Sequence, residues 1–173
     1  NTVVREFCTL NRGTKDRWKT SIGSNCLLMA YAHTAHDCIV GDNTVLANGV
    51  QLAGHVTVED HVIMGGLVAV HQFCKVGKHS LIGGCYRAVK DVPPYILAAG
   101  DPLTFKGVNV IGLKRRGFSA DVIKTLRHCY RTIYRSGLNT SQGLEKIREK
   151  GEMGEEVAAV VDFFNKSDRG VIR

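Results

Sequence analysis

The 173-residue chain has no run of apolar residues near the roughly 20 needed to cross a bilayer, so no membrane insertion is expected. Its first residues, NTVVREFC, lack the basic-then-apolar order of a secretory signal. None of the six cysteines (Cys8, Cys26, Cys38, Cys74, Cys85 and Cys129) forms a Cys-x-x-Cys pair. A disulfide framework is not expected in a chain of this length and regularity; buried, reduced thiols and a cytoplasmic address follow as the default. The formal net charge is +7, and the excess is local. Residues 101–137 carry Lys106, Lys114, Arg115, Arg116, Lys124, Arg127, Arg131 and Arg135 against Asp101 and Asp121. Such a stretch attracts phosphates or an acidic partner. No nucleic-acid motif accompanies it, so nucleic acid is not expected as a partner.

What the chain does have is a period of six. Every sixth residue from 22 reads Ile22, Leu28, Thr34, Val40, Leu46, Leu52, Val58, Met64, Val70, Val76, Ile82 and Ala88. The fourth residue after each is small or β-branched in nearly every unit, from Cys26, Ala32 and Cys38 to Cys74, Ser80 and Val92. The residue directly after the aliphatic is often Gly or Ala, which together with Asn is expected to tolerate a tight turn. A helix needs a period near 3.6 and an ordinary strand a period of 2, so six fits neither. It fits a parallel β-helix in which three short strands close an eighteen-residue coil and equivalent positions stack about 4.8 Å apart. No coil buries its interior alone, so stability comes from stacking.

The same phase reaches back to Val4 and Leu10, then meets KDRWKT (15–20), expected to bulge out as a loop. The chain begins inside the repeat, so further coils are expected before residue 1. Val92-Pro93-Pro94 should end the last coil. This places a β-helix over 1–95 and a helical domain over 96–173. Within the latter, a helix is expected over 119–136, capped by Ser119 and ended by Gly137, with shorter helices near 141–149 and 154–166. Val122, Ile123, Leu126, Tyr130, Ile133 and Tyr134 form its apolar stripe.

The chemistry-bearing residues gather on one column. His36, Gly54 and Gln72 share the third position of their hexapeptides at eighteen-residue spacing, with His33, Asp37, His55 and His71 beside them. Stability does not require a polar cluster at one corner of an aliphatic prism. His36 next to Asp37 reads as a general base with an orienting carboxylate, and the Gly54 backbone N–H as an oxyanion donor. Substrates would lie in a cleft between prisms of a closed trimer. His61 and His79 are expected to be solvated turn residues.

Seven segments carry a family resemblance: AHTAHDC (32–38), LAGHV (52–56), AVHQFC (69–74), GGC (83–85), DVPPY (91–95), GLKRRGFS (112–119) and IYRSG (133–137). They closely resemble the acyl-[acyl-carrier-protein]–UDP-N-acetylglucosamine O-acyltransferases that begin lipid A synthesis, and FFNKSDRGVIR (163–173) resembles that family's C-terminus. The hexapeptides are shared by many acyltransferases; GLKRRGFS and IYRSG are the specific part. The resemblance implies a mainly β protein, a left-handed parallel β-helix of hexapeptide repeats with a C-terminal α-helical domain, acting as a homotrimer without cofactor. It implies transfer of an R-3-hydroxyacyl group from acyl carrier protein to the glucosamine 3-hydroxyl of UDP-N-acetylglucosamine. His36 would be the catalytic histidine, Asp37 its supporting aspartate and Gly54 the oxyanion glycine. His33, His55, His71 and Gln72 would surround the sugar and phosphates. Asn109, Arg115 and Arg116 would face the nucleotide and the carrier protein, and Gly84 would lie near the end of the acyl channel. Acyl carrier protein is acidic and the nucleotide brings a pyrophosphate, which gives the basic segment a reason.

The chain departs from that pattern at Ile111, where the family often has an acidic residue, and at Tyr86-Arg87, where small residues are common. The family's main sugar-contacting aspartate would lie before residue 1. Three other readings compete. A lipid A N-acyltransferase would share the β-helix but needs an N-terminal uridine-binding domain and lacks GLKRRGFS. A metal site like that of the γ-class carbonic anhydrases could use His33 and His36, but the full three-histidine set is missing, and no metal is expected. A purely structural β-helix would show flat, threonine-rich faces, which this chain does not have.

Overall fold

The computed structural model describes residues 1–149 and 154–173. Two-residue strands recur every six residues and stack into three parallel sheets, the faces of a solenoid of about four turns. The first face runs through Val3–Val4, Leu27–Leu28, Val45–Leu46, Ile63–Met64 and Leu81–Ile82. The second runs through Thr9–Leu10, His33–Thr34, Gln51–Leu52, Ala69–Val70 and Arg87–Ala88, and the third through Ser21–Ile22, Ile39–Val40, Thr57–Val58 and Lys75–Val76. Partners lie eighteen residues apart, as in Leu28↔Leu46, Leu46↔Met64 and Met64↔Ile82. This is the register that the period of six requires.

Leu28, Leu46, Leu52, Met64 and Ile82 are fully buried along the axis, as are the small fifth-position residues Ala32, Cys38, Val50, Val56, Val62 and Val68. Each large aliphatic contributes roughly 1.5–3 kcal/mol of burial, so a coil is stable only with coils above and below it. All six cysteines are free thiols; Cys26, Cys38, Cys74 and Cys129 are buried, Cys8 half-buried and Cys85 exposed.

The corners differ from the expectation. The left-handed turn falls on the fourth residue of each hexapeptide, with φ between 55° and 65° at Asn25, Tyr31, Asp37, Asn43, His55, His61, Leu67, Phe73, His79 and Cys85. A Gly at the second position serves close approach instead. A Cβ on Gly65 would come within 2.5 Å of the Gly84 backbone nitrogen in the next coil. The turn residues therefore carry side chains, and those side chains stack from coil to coil on the outside of the prism.

The first coil is longer than the rest. Val4 pairs with Leu28 and Leu10 with Thr34, a spacing of 24 rather than 18. The six extra residues fall between Leu10 and Ser21, so the loop that contains KDRWKT leaves the phase of the repeat intact.

β-Structure runs past residue 95, where the sequence placed the boundary. Ile96–Ala99 pairs in parallel with Leu81–Ile82 at the shorter spacing of Leu81↔Leu97, then folds back on Thr104–Val108 as an antiparallel strand. Four helices follow among the described residues, one more than expected: α1 Val110–Arg115, α2 Ala120–Arg135, α3 Thr140–Arg148 and α4 Glu155–Asn165. Helix α1 was missed because a single six-residue turn shows no apolar period; its signal is Asn109, whose side chain caps it by accepting from the Gly112 N–H. Ser119 caps α2 through the Val122 N–H, and Asn139 with Gln142 forms a capping box on α3. The helices dock on the end of the solenoid: the Tyr130 hydroxyl donates to Pro94 O, and buried Asp91 accepts from Lys75 N–H (2.7 Å) and the Ser167 hydroxyl (2.6 Å). No described helix is long and apolar enough to cross a membrane.

Candidate active site

His36 stands at the corner between the second and third faces, with its side chain 42% exposed, while the neighbouring Asp37 carboxylate is fully buried. The His36 Nδ1 lies 2.9 Å from Asp37 Oδ2. An anionic carboxylate accepts there, so Nδ1 carries the proton and Nε2 keeps its lone pair. Asp37 is in turn held by the long first-coil loop. It accepts from the Thr14 hydroxyl (2.6 Å), from the Thr14 N–H (3.0 and 3.1 Å) and from the Arg17 N–H (3.2 Å). Its own N–H donates to the Thr20 hydroxyl (2.8 Å), and Arg17 donates a guanidinium N–H to its carbonyl (3.1 Å). Burial would raise the Asp37 pKa; hydrogen bonds from Thr14, His36 and Arg17 outweigh it and hold the carboxyl well below the usual carboxylate range.

Gly54 lies one coil along, under the His36 ring. A Cβ there would sit 2.6 Å from His36 Cε1 and 2.8 Å from Nε2, so only glycine leaves the imidazole in place. Among the described residues the Gly54 N–H makes no hydrogen bond, whereas Ala53 N–H donates to Val70 O and His55 N–H to His36 O. It is a buried donor with no partner among the described residues, directly beside the His36 ring. His55 is nine-tenths buried behind the pair: Nδ1 is 3.3 Å from Asp16 Oδ2, Nε2 is 3.8 Å from Asp37 Oδ2, and the ring meets His36 edge-on at 5.2 Å and stacks on Phe73 at 4.6 Å. His36 opens into a depression of about 710 Å³ lined by Asn11, Arg12, Gly13, Thr14, Lys15 and Trp18 of the long loop. Trp18 is 74% exposed.

The remaining residues singled out from the sequence are spread over the prism. His33 lies on the second face with Nδ1 2.7 Å from the Thr9 hydroxyl. His71 and Gln72 are exposed on the His36 corner, one coil beyond Gly54. Exposed Gly84 occupies the corner between the first and second faces. Asn109 belongs to the third corner: its Oδ1 accepts from Gly112 N–H (3.1 Å) and its Nδ2 donates to His79 O (3.0 Å), so it holds α1 against the solenoid. Exposed Arg115 and half-buried Arg116 end that helix. Within one chain, therefore, His36, Asp37, Gly54 and His55 meet, while Gly84 and the Asn109–Arg116 group lie on the other two edges. Residues Thr14, Asp16, Arg17 and Thr20 were missed. The sequence places Thr14 in the repeat and has 15–20 bulge out as a loop; instead Thr14, Arg17 and Thr20 all bond Asp37.

His61 and His79 are turn residues, as expected, but they are half-buried rather than fully solvated. They stack at 4.5 Å, and His79 stacks on Tyr95 (5.6 Å) and meets Phe118 edge-on (5.0 Å). The His79 Nδ1 is buried without a hydrogen-bond partner. Phe118 and Tyr95 lie beyond the regular repeat, and they cover the ring.

As for metals, ligand atoms of His36, Asp37 and His55 all fall within 4.8 Å of one another. Both Asp37 oxygens already accept hydrogen bonds from Thr14 or Arg17, and Nδ1 of His36 is turned onto Oδ2. These atoms are therefore already engaged in hydrogen bonds and do not form an open ligand set.

Stacked hexapeptide coils define the class: residues 19–54 match the model described as bacterial transferase hexapeptide (six repeats). Residues 91–172 match a narrower one, UDP N-acetylglucosamine O-acyltransferase, domain 2. An acyl-[acyl-carrier-protein]–UDP-N-acetylglucosamine O-acyltransferase of Thiobacillus denitrificans is 46% identical over 99% of this chain and 67% of its own length. The crystal structure of the UDP-N-acetylglucosamine O-acyltransferase from Moraxella catarrhalis superposes with a TM-score of 0.95 at 44% identity, over 99% of this chain and 67% of that one. The Arabidopsis UDP-N-acetylglucosamine acyltransferase gives 0.93 at 39% identity, over 100% of this chain and 64% of that one. The chain belongs to the acyl-[acyl-carrier-protein]–UDP-N-acetylglucosamine O-acyltransferase family, and spans about two thirds of the length of these relatives.

Proposed function

We propose that this protein transfers an R-3-hydroxyacyl group from acyl carrier protein to the glucosamine 3-hydroxyl of UDP-N-acetylglucosamine, the first step of lipid A synthesis, in the cytoplasm and as a homotrimer. The observation that carries the reading is the His36–Asp37 pair seated on Gly54. The Nε2 lone pair of His36 takes the proton of the attacking hydroxyl as its oxygen adds to the thioester carbonyl. The Gly54 N–H stabilises the resulting oxyanion. Collapse of the tetrahedral intermediate breaks the C–S bond, and the imidazolium returns its proton to the departing thiolate. Asp37 holds the ring in the Nδ1–H tautomer and offsets its charge.

In this reading His33, His71 and Gln72 line the acceptor side, with His55 supporting from behind. Arg115 and Arg116, on the helix that Asn109 caps, meet the pyrophosphate and the acidic carrier protein. Gly84 leaves room at the end of the acyl chain. The spread of these residues over three edges supports a site completed by a neighbouring copy, and exposed Leu67 and Phe73 at the corners give such a contact apolar surface.

The test is acyl transfer from 3-hydroxyacyl carrier protein to UDP-N-acetylglucosamine, with His36→Ala in parallel. Loss of at least about 10²-fold in kcat is expected, the lower bound for a general base. Equal activity of the two proteins would remove His36 from the mechanism.

A further inference from the structure

The segment between Leu10 and Ser21 adds no strand to the three sheets, yet it supplies three of the four groups that hydrogen-bond the Asp37 carboxylate: the Thr14 hydroxyl, the Thr14 N–H and the Arg17 N–H. The fourth is His36 itself. The same loop sets Asp16 against His55. We infer that Thr14 is a positioning residue for the reaction: its hydroxyl fixes the Asp37 carboxylate so that Oδ2 accepts a hydrogen bond from the His36 Nδ1–H and Nε2 is left free to act as base.

The geometry supports a role beyond packing. Asp37 is fully buried, and a buried carboxylate without donors is costly in its ionised form. The Thr14 hydroxyl is the closest of its donors at 2.6 Å, and it bonds the oxygen, Oδ2, that also meets His36. The hydroxyl thus decides which way that oxygen's remaining lone pair faces. Thr14 itself lies in an exposed loop outside the aliphatic core, and the turn at Asp37 is formed by the solenoid whether or not the loop grips it. Removing the hydroxyl should loosen the aim of the carboxylate and leave the coil intact.

The inference rests on the reading of His36 as the base, and the test separates the two. Thr14→Val deletes the hydroxyl and keeps the side-chain volume; Thr14→Ala deletes it without placing a second methyl against Asp37; Thr14→Ser restores it. For all three, kcat and KM for both substrates would be measured, together with the ¹⁵N shifts of the His36 ring, which report which nitrogen carries the proton. Thr14→Val and Thr14→Ala should each lower kcat about tenfold, the effect of one charge-assisted hydrogen bond, with both KM values within about twofold. Both should show the Nε2–H tautomer of His36 rising where the parent shows Nδ1–H alone. Thr14→Ser should return both readouts to the parent values. An unchanged tautomer in Thr14→Val and Thr14→Ala overturns the inference, and so does a kcat loss that serine does not rescue. Should the parent protein itself transfer no acyl group, the assigned activity falls, and the tautomer measurement still decides the role of Thr14.

Discussion

Two corners of this prism carry histidines at the same place in the repeat, and they have opposite chemistry. At one, Asp37, His55 and Phe73 occupy consecutive turn positions; at the other, His61 and His79 do, continued by Tyr95. At the first corner the rings meet carboxylates, Asp37 and Asp16, and His36 remains open to solvent. At the second, burial is the main cause that pushes the His79 pKa down to about 4, and the charges of His61, Arg116 and Lys78 push it the same way. The backbone offers an identical turn at every coil. What sets the two corners apart is the pair of segments outside the regular repeat: the long loop that brings hydrogen-bond donors to Asp37, and the 95–118 segment that brings Tyr95 and Phe118 over His79.

The largest expected effect at the first corner is that of Asp37→Asn. Every donor around the carboxylate is an N–H or O–H, so an amide cannot turn its NH₂ toward Thr14 and Arg17 without a clash of donors, nor toward His36 without forcing the imidazole to accept at Nδ1. The proton then moves to Nε2, the atom that acts as base in the proposed mechanism. A fall in kcat of about 10²–10³-fold is expected, with KM little changed. An asparagine variant with parent-like kcat would show that the tautomer is set elsewhere.

Gly54→Ala comes next. The added methyl would stand 2.6 Å from His36 Cε1. The backbone at Gly54 has no left-handed φ, so the coil accepts alanine and the ring moves instead. A displacement near 1 Å costs about 10²-fold in rate, while the melting temperature should stay within a few degrees. A large drop in stability with little loss of activity would place the strain in the coil rather than in the base.

These effects mark what was legible in the sequence. The strict period, the column of His36, Gly54 and Gln72, and the aliphatic core could all be read because stacking repeats one environment every eighteen residues. The support for Asp37 could not: Arg17 sits in the segment 15–20 that breaks the period, and Thr14 reads as an ordinary small residue of the unit that begins at Leu10, yet both donate to the carboxylate. The burial of His79 could not either: its partners Tyr95 and Phe118 come from where the hexapeptides stop, and the docking of α1 through Asn109 has no periodic signature.

The second corner gives a stability effect. His79 has a folded pKa of about 4 against an ordinary 6.5. On acidification the unfolded chain therefore takes the proton first, so this contribution to stability is complete above about pH 6.5 and is lost as the pH falls from there toward about 4. Discounted for partial exposure, the loss is on the order of 1–2 kcal/mol. His79→Phe keeps a ring between His61 and Tyr95 and removes the titration. Thermal melts at pH 7 and pH 4.5 should show a smaller acid-induced drop in the variant than in the parent. Equal drops would mean that His79 is solvated after all.

The smallest effect separates the two causes of that depressed pKa. Burial is the largest and the charge of His61 the next, with Arg116 and Lys78 behind it. His61→Phe removes the neighbouring charge and leaves the stack, the Phe118 edge and Arg116 in place. If burial dominates, the His79 pKa followed by NMR rises by only a few tenths of a unit and stays well below 6.5, because a ring at 4.5 Å continues to exclude water from that face. If it returns close to 6.5, the corner is governed by charge repulsion between the two imidazoles. It would then lack what Asp37 gives the first corner, a carboxylate hydrogen-bonded to an imidazole. An aspartate in place of His61, the neighbour that Asp37 is to His55, would in that case be enough to make His79 titrate near neutrality.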